Sequence, residues 1–187
     1  MEESSIVAEE KKPNGFWEFL KAVIISILIV IPVRAYVAQP FIVDGASMEP
    51  TFRGGDYLII DELSFQFRAP ERGEVIVFRA PPHPSQFYIK RIIGLPGETV
   101  EIRDSIVYVT TVTEQTMTLD EAYLPVSLAT ELNMKKVLSS DEYFVMGDNR
   151  PHSSDSRLWG VLPKENITGR AFVRLWPINN ISMATDL

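Results

Sequence analysis

Residues 22–33 carry no charged side chain, and the apolar run they form constrains the chain more than any other feature. Extended from Phe16 to Ala38, the segment holds only Glu18, Lys21 and Arg34 as charges, all near its ends. An α-helix built from it would be apolar on every side and would need lipid or protein around its whole circumference. The length meets the roughly 20 residues that a bilayer core requires. Lys21 and Arg34 could reach the headgroups, Trp17 and Tyr36 sit where interfacial aromatics belong, and Pro32 is tolerable in a membrane helix. A membrane-spanning anchor is the preferred reading. A cleavable export signal ending at Ala38 is opposed by the large Tyr36 where a small residue is wanted. A buried core helix is the third reading. Lys11, Lys12 and Lys21 precede the run and only Arg34 closely follows it, which predicts a cytoplasmic tail over 1–15, a transmembrane helix over 16–38 and an extracytoplasmic domain over 39–187.

Beyond residue 38 the texture changes to short β-prone runs broken by Gly and Pro. Strands are expected at Tyr57–Ile60, Glu74–Phe78, Phe87–Ile93, Val100–Arg103, Ile106–Val109, Glu142–Met146 and Arg170–Trp176, with a hairpin turn at Asp104-Ser105. Residues 110–140 are the least patterned, with a short helix expected over Leu128–Leu138. The fold class is therefore mainly β: an antiparallel β-sheet domain with long loops, tethered by one N-terminal transmembrane helix. A net charge of -7 argues against a nucleic-acid partner. The absence of cysteine excludes disulfides, thiolate metal sites and a cysteine nucleophile, and His83 and His152 alone make a poor zinc site. No metal or cofactor is expected.

Three stretches carry candidate chemistry. In Gly45-Ala46-Ser47-Met48-Glu49-Pro50-Thr51, small residues leave the Ser47 hydroxyl uncrowded. Such a serine needs a base beside it to act as a nucleophile, and a plain polar turn would look similar. Lys90 lies in a strand whose alternation puts Tyr88, Lys90 and Ile92 on one face and Ile89, Arg91 and Ile93 on the other. Both faces are apolar enough that one of the two basic residues is expected to be buried. The third stretch runs from Gly147 to Arg157, dense in polar groups, with Asp155 and Arg157 placed to form an ion pair. Gln39 to Ala46 is 8 residues, so Ser47 lies at most about 26 Å from the end of the apolar segment.

Taken together, Gly45–Thr51, Tyr88-Ile89-Lys90-Arg91 with Gly94-Leu95-Pro96-Gly97, and Gly147-Asp148-Asn149-Arg150 through Ser153, Asp155-Ser156-Arg157 and Trp159-Gly160 resemble the signature boxes of bacterial type I signal peptidases. Gly54-Gly55-Asp56 and Arg72-Gly73-Glu74-Val75 match as well. The similarity spans roughly residues 15–177, leaving out 110–140. It implies a membrane-bound serine endopeptidase that removes signal peptides from exported precursors after a small residue. Ser47 then matches the nucleophile, Lys90 the general base, and Ser153 the serine that hydrogen-bonds and orients the lysine. Asp155 and Arg157 match a structural ion pair under the site, while Asp148, Asn149 and Arg150 read as loop architecture. Many relatives carry a serine two residues before the nucleophile that helps bind the oxyanion. Gly45 stands there, leaving the Ser47 N–H as one donor and the Gly45 backbone or a water as the second.

For Lys90 to accept a proton near pH 7–8 its pKa must fall about 2–3 units, and desolvation beside Tyr88 and Ile92 is the available cause. Val43, Met48, Tyr88 and Ile89 are the candidate walls of shallow pockets for small substrate side chains. The expected partners are signal peptides of secretory preproteins, bound as an added strand, and the lipid bilayer. Two other readings remain open. His152 with Asp148 or Asp155 would make a Ser-His-Asp triad. From another class, an inactive tethered β module would bind extended peptides without cutting them.

Overall fold

The computed structural model describes residues 15–32, 39–125, 130 and 132–184. The expectations for the tail and for 33–38 fall largely outside this range. Helix α1, Gly15–Pro32, is 18 residues long and exposes Phe16, Phe19, Ile24, Ile25, Leu28 and Ile29. Among the described residues no helix is long and apolar enough to cross a membrane.

The remainder is antiparallel β, as expected. Strands β1 (Gln39–Ile42), β2 (Tyr57–Asp61), β3 (Val75–Ala80), β4 (His83–Gly94), β9 (Glu142–Met146), β10 (Leu162–Pro163) and β11 (Ile167–Trp176) form one sheet in the order β1-β2-β11-β3-β4-β9-β10, with β12 (Ser182–Met183) added to β11. A second sheet has the order β7-β6-β5-β8, from β5 (Thr99–Arg103), β6 (Ile106–Thr110), β7 (Thr116–Thr118) and β8 (Met134–Val137). Single helical turns lie at α2 (Ser64–Phe67) and α3 (Ser156–Trp159).

Strand β3 reads as an unbroken apolar run because both its faces are covered. Val75 and Val77 pack with Met48, Phe52, Leu58 and Ile60, while Ile76 and Phe78 pack with Ile92, Tyr143 and Val145. A third cluster, around Ile93, Val100, Ile102 and Phe144, seats the small sheet on the large one. The Asp104-Ser105 turn joins β5 to β6 with both residues at positive φ, +50° and +64°, the backbone that a tight two-residue hairpin demands.

Two elements differ from what the sequence predicts. Within Leu128–Leu138 the described residues form β8, whose backbone pairs with the open edge of β5 and so overrides the helix propensity of Met134, Lys135 and Lys136. Residues 126–129 and 131 lie outside the description. Strand β1 went unforeseen because Pro40 cannot donate a ladder hydrogen bond, which an edge strand tolerates.

Two unpaired strand edges frame the site. Among the described residues strand β1 pairs only with β2. Strand β4 pairs with β3 from His83 onward but meets β9 only from Arg91. Residues 83–90 thus present a free edge that ends at Lys90. Phe41 of β1 and Phe87 of β4 meet edge-on at 5.4 Å between ring centroids, bringing the two edges together.

Candidate active site

Ser47 sits on a tight loop held by its own backbone: Glu49 N–H donates to the Ala46 carbonyl and Phe52 N–H to that of Met48. Buried Met48 and Phe52 pin the loop to the core. Gly45 adopts φ +84°, a left-handed conformation that side-chain-bearing residues resist.

Lys90 reaches this loop. Its Nζ donates to Ser47 Oγ at 2.7 Å and to the Ile89 carbonyl at 2.8 Å, and lies 5.4 Å from the Tyr88 ring centroid. The side chain is buried, at 4% exposure, and forms no salt bridge among the described residues. Burial pushes its pKa down to about 8, against the weaker opposing pull of Asp155 and Asp148. Where one buried basic residue was expected, there are two. Arg91, equally enclosed, faces the other way and forks onto Asp148 through Nε at 2.9 Å and Nη2 at 2.7 Å. The opposite faces of one strand thus hold a paired cation and an unpaired amine.

The loop from Gly147 clamps the serine loop. Asn149 N–H donates to the Ser47 carbonyl at 3.0 Å, and its Nδ2 donates to the Ala46 carbonyl at 3.0 Å. The Thr51 hydroxyl donates to Asp148 Oδ2 at 2.5 Å. A Cβ on Gly147 would fall 2.2 Å from Ser153 Oγ and 2.4 Å from the Ser47 carbonyl oxygen, so only glycine fits. Asp148, Asn149 and Arg150, read from sequence as loop architecture, therefore bear directly on the position of the serine. Asp155 accepts from Gly147 N–H and from Arg157 Nε and Nη2, and Arg157 Nη2 also donates to the Arg150 carbonyl. Among the described residues Ser153 Oγ is buried without a hydrogen-bond partner, so the expected bond to Lys90 is not formed.

A cleft of about 680 Å³ opens beside Ser47 and Lys90. Val43, Tyr88 and Ile89 line it as expected, together with Phe41, Leu58, Val77 and Phe87. Met48 does not line it. At 1% exposure its side chain belongs to the core beneath the loop, a correction with a clear cause: the turn after Ser47 points residue 48 inward. His152 lies on the rim, but Asp148 is bound to Arg91 and Thr51, and Asp155 to Gly147 and Arg157. Neither carboxylate is aligned with an imidazole, so the triad reading fails on geometry. Among the described residues no cluster of His, Cys, Asp and Glu could hold a metal ion.

An exposed serine loop, a buried amine in contact with its hydroxyl and an apolar cleft alongside together make a serine hydrolase layout with lysine as the basic group. A family model described as signal peptidase, peptidase S26, matches residues 16–176. A probable signal peptidase I-2 of Synechocystis is 39% identical over 95% of this chain and 82% of its own length. Signal peptidase I of Leptolyngbya laminosa is 34% identical over 93% and 86% respectively. A solved signal peptidase I from Enterococcus faecalis is 31% identical, with a TM-score of 0.47 over 55% of this chain and 97% of that one. This chain belongs to the signal peptidase S26 family.

Proposed function

We propose that this serine endopeptidase removes signal peptides from exported precursors, with Ser47 as nucleophile and Lys90 as general base. The observation that carries the reading is the 2.7 Å contact between a buried amine, with a pKa near 8, and the Ser47 hydroxyl. Neutral Lys90 takes the proton as Ser47 Oγ attacks the carbonyl carbon of the scissile bond. The tetrahedral oxyanion lies toward the Ser47 N–H, with the Gly45 backbone or a water as second donor. Collapse releases the amine, which receives its proton from the Lys90 ammonium. Neutral Lys90 then draws a proton from water, whose oxygen attacks the acyl ester; the ester C–O bond breaks and the Lys90 ammonium returns the proton to Ser47 Oγ. Ser153 is assigned as the serine that orients the lysine during turnover; its buried hydroxyl has no hydrogen-bond partner among the described residues and so is free to take that role.

The free edges of β1 and β4 suit an extended substrate added as a strand. Val43, Leu58, Val77 and Ile89 give the cleft apolar walls for small side chains. Residues 16–38 act as the anchor: the described part, α1, is about 27 Å long, and the segment as a whole has the roughly 20 apolar residues a bilayer core requires. The tail stays cytoplasmic and residues 39–187 work at the outer face of the membrane.

Detergent-purified protein incubated with a preprotein ending its leader in Ala-x-Ala should cut after the last alanine, as mass spectrometry of the products would show. Ser47→Ala should lower the rate by at least about 10³-fold. Undiminished cleavage by that variant would remove Ser47 from the mechanism.

A further inference from the structure

The three buried or half-buried arginines around the site are each matched by one carboxylate. Arg91 pairs with Asp148 and Arg157 with Asp155, all within or beside the motifs already described. Arg150 finds no such partner there. At 2% exposure it would be a buried cation without a counter-ion, a costly arrangement. Its partner comes from elsewhere: Nη2 binds Glu121 and donates to Tyr123 Oη at 3.2 Å, and Nη1 donates to Thr130 Oγ1 at 3.0 Å. The Tyr123 hydroxyl in turn donates to Glu121 Oε1 at 3.2 Å, and its ring lies 4.1 Å from the Arg91 guanidinium. One short strap following β7 therefore covers both buried arginines behind the serine loop. Tyr123 also lines a cavity of about 360 Å³ shared with Pro50 and Thr51.

One connection from the strap to the reacting groups runs through the Gly147 peptide. Arg150 Nε donates to the Gly147 carbonyl at 3.1 Å, while Gly147 N–H donates to Asp155 at 3.0 Å. The Gly147 backbone lies against Ser153 and the Ser47 carbonyl with no room even for a Cβ between them. We propose that Glu121 and Tyr123 are positioning residues for the Ser47–Lys90 pair, acting through Arg150 and Gly147. The inference rests on the peptidase reading above and assigns that site a support from the stretch that sequence patterning left blank. Neither residue lines the cleft, so loss of either should impair turnover more than substrate binding.

Glu121→Ala, Glu121→Gln and Tyr123→Phe, with the exposed Glu114→Gln as control, test this. The glutamine keeps an acceptor for Arg150, and the phenylalanine removes one hydroxyl only, so both should fold even where alanine does not. For Glu121→Ala, kcat per titrated active site should fall by about tenfold with KM changed by less than about twofold, and glutamine should recover part of the loss. Amide exchange should quicken in residues 145–153 while β2 and β3 keep their protection. Wild-type kcat in all variants, or a loss of protection spread evenly over the domain, would overturn the proposal. If the unaltered protein cut no precursor, the peptidase reading would fall instead. The exchange comparison needs no substrate and would still decide the role of the strap.

Discussion

Lys90 and Arg91 are neighbours in one strand, enclosed to the same degree, and they meet burial in opposite ways. Arg91 keeps its charge because Asp148 compensates it, whereas Lys90 faces neutral oxygens of Ser47 and Ile89. An unfolded lysine holds its proton to about pH 10.4, the native one only to about 8. Between those values only the unfolded chain binds the proton, so stability climbs as pH rises through the window, and the full penalty applies below pH 8. Lys90→Met should therefore be inactive yet more stable at pH 7, by about 3 kcal/mol, with the gain fading by pH 10.5. Urea unfolding at pH 7 and pH 10.5 checks this, and an equal difference at both would reject it. Strand alternation was enough to put these two side chains on opposite faces and to suggest that one is buried. It could not reveal that Asp148, 57 positions further on, lets the second be buried too.

At the level of elements, the β5–β6 hairpin offers a clean test. Ser105 sits at φ +64°, where a Cβ is strained and glycine is not. Ser105→Gly should raise stability by about 0.5 kcal/mol after the added freedom of the unfolded glycine is deducted, and a drop in the denaturation midpoint would refute it. The hairpin was readable because two apolar runs flank a turn pair. So were β2, β3, β9 and most of β4, each apolar and bounded by Gly or Pro. Where pairing partners rather than local preference decide the outcome, reading fails. Strand β1 is extended because β2 lies beside it, despite Pro40, and β8 because β5 offers an edge. The site divides the same way: Ser47, Lys90 and the Asp155–Arg157 pair stood out in their motifs, while Glu121 and Tyr123 gave no periodic signal and emerge only as partners of Arg150.

For the whole molecule, none of the three core clusters includes a residue of α1 among those described. The β domain encloses its own core and should fold without the apolar segment. Removing residues 1–38, which leaves β1 intact, should give a soluble fragment that cuts a short Ala-x-Ala peptide within about tenfold of the full-length rate. The full chain should gain a much larger advantage on a precursor embedded in vesicles, where sharing a membrane raises the effective concentration. Equal rates of fragment and full chain on the vesicle substrate would argue against the anchor.

The clamp that Gly147 and Asn149 place on Ser47 also sets a timetable for biosynthesis. Translation delivers Ser47 first, Lys90 next and Arg157 only 110 residues after the serine, a gap on the order of ten seconds at ribosomal speed. A half-made chain carries the hydroxyl and the amine but not the loop that seats them. On the proposed mechanism, the nascent polypeptide stays chemically harmless until residues 147–157 have been made.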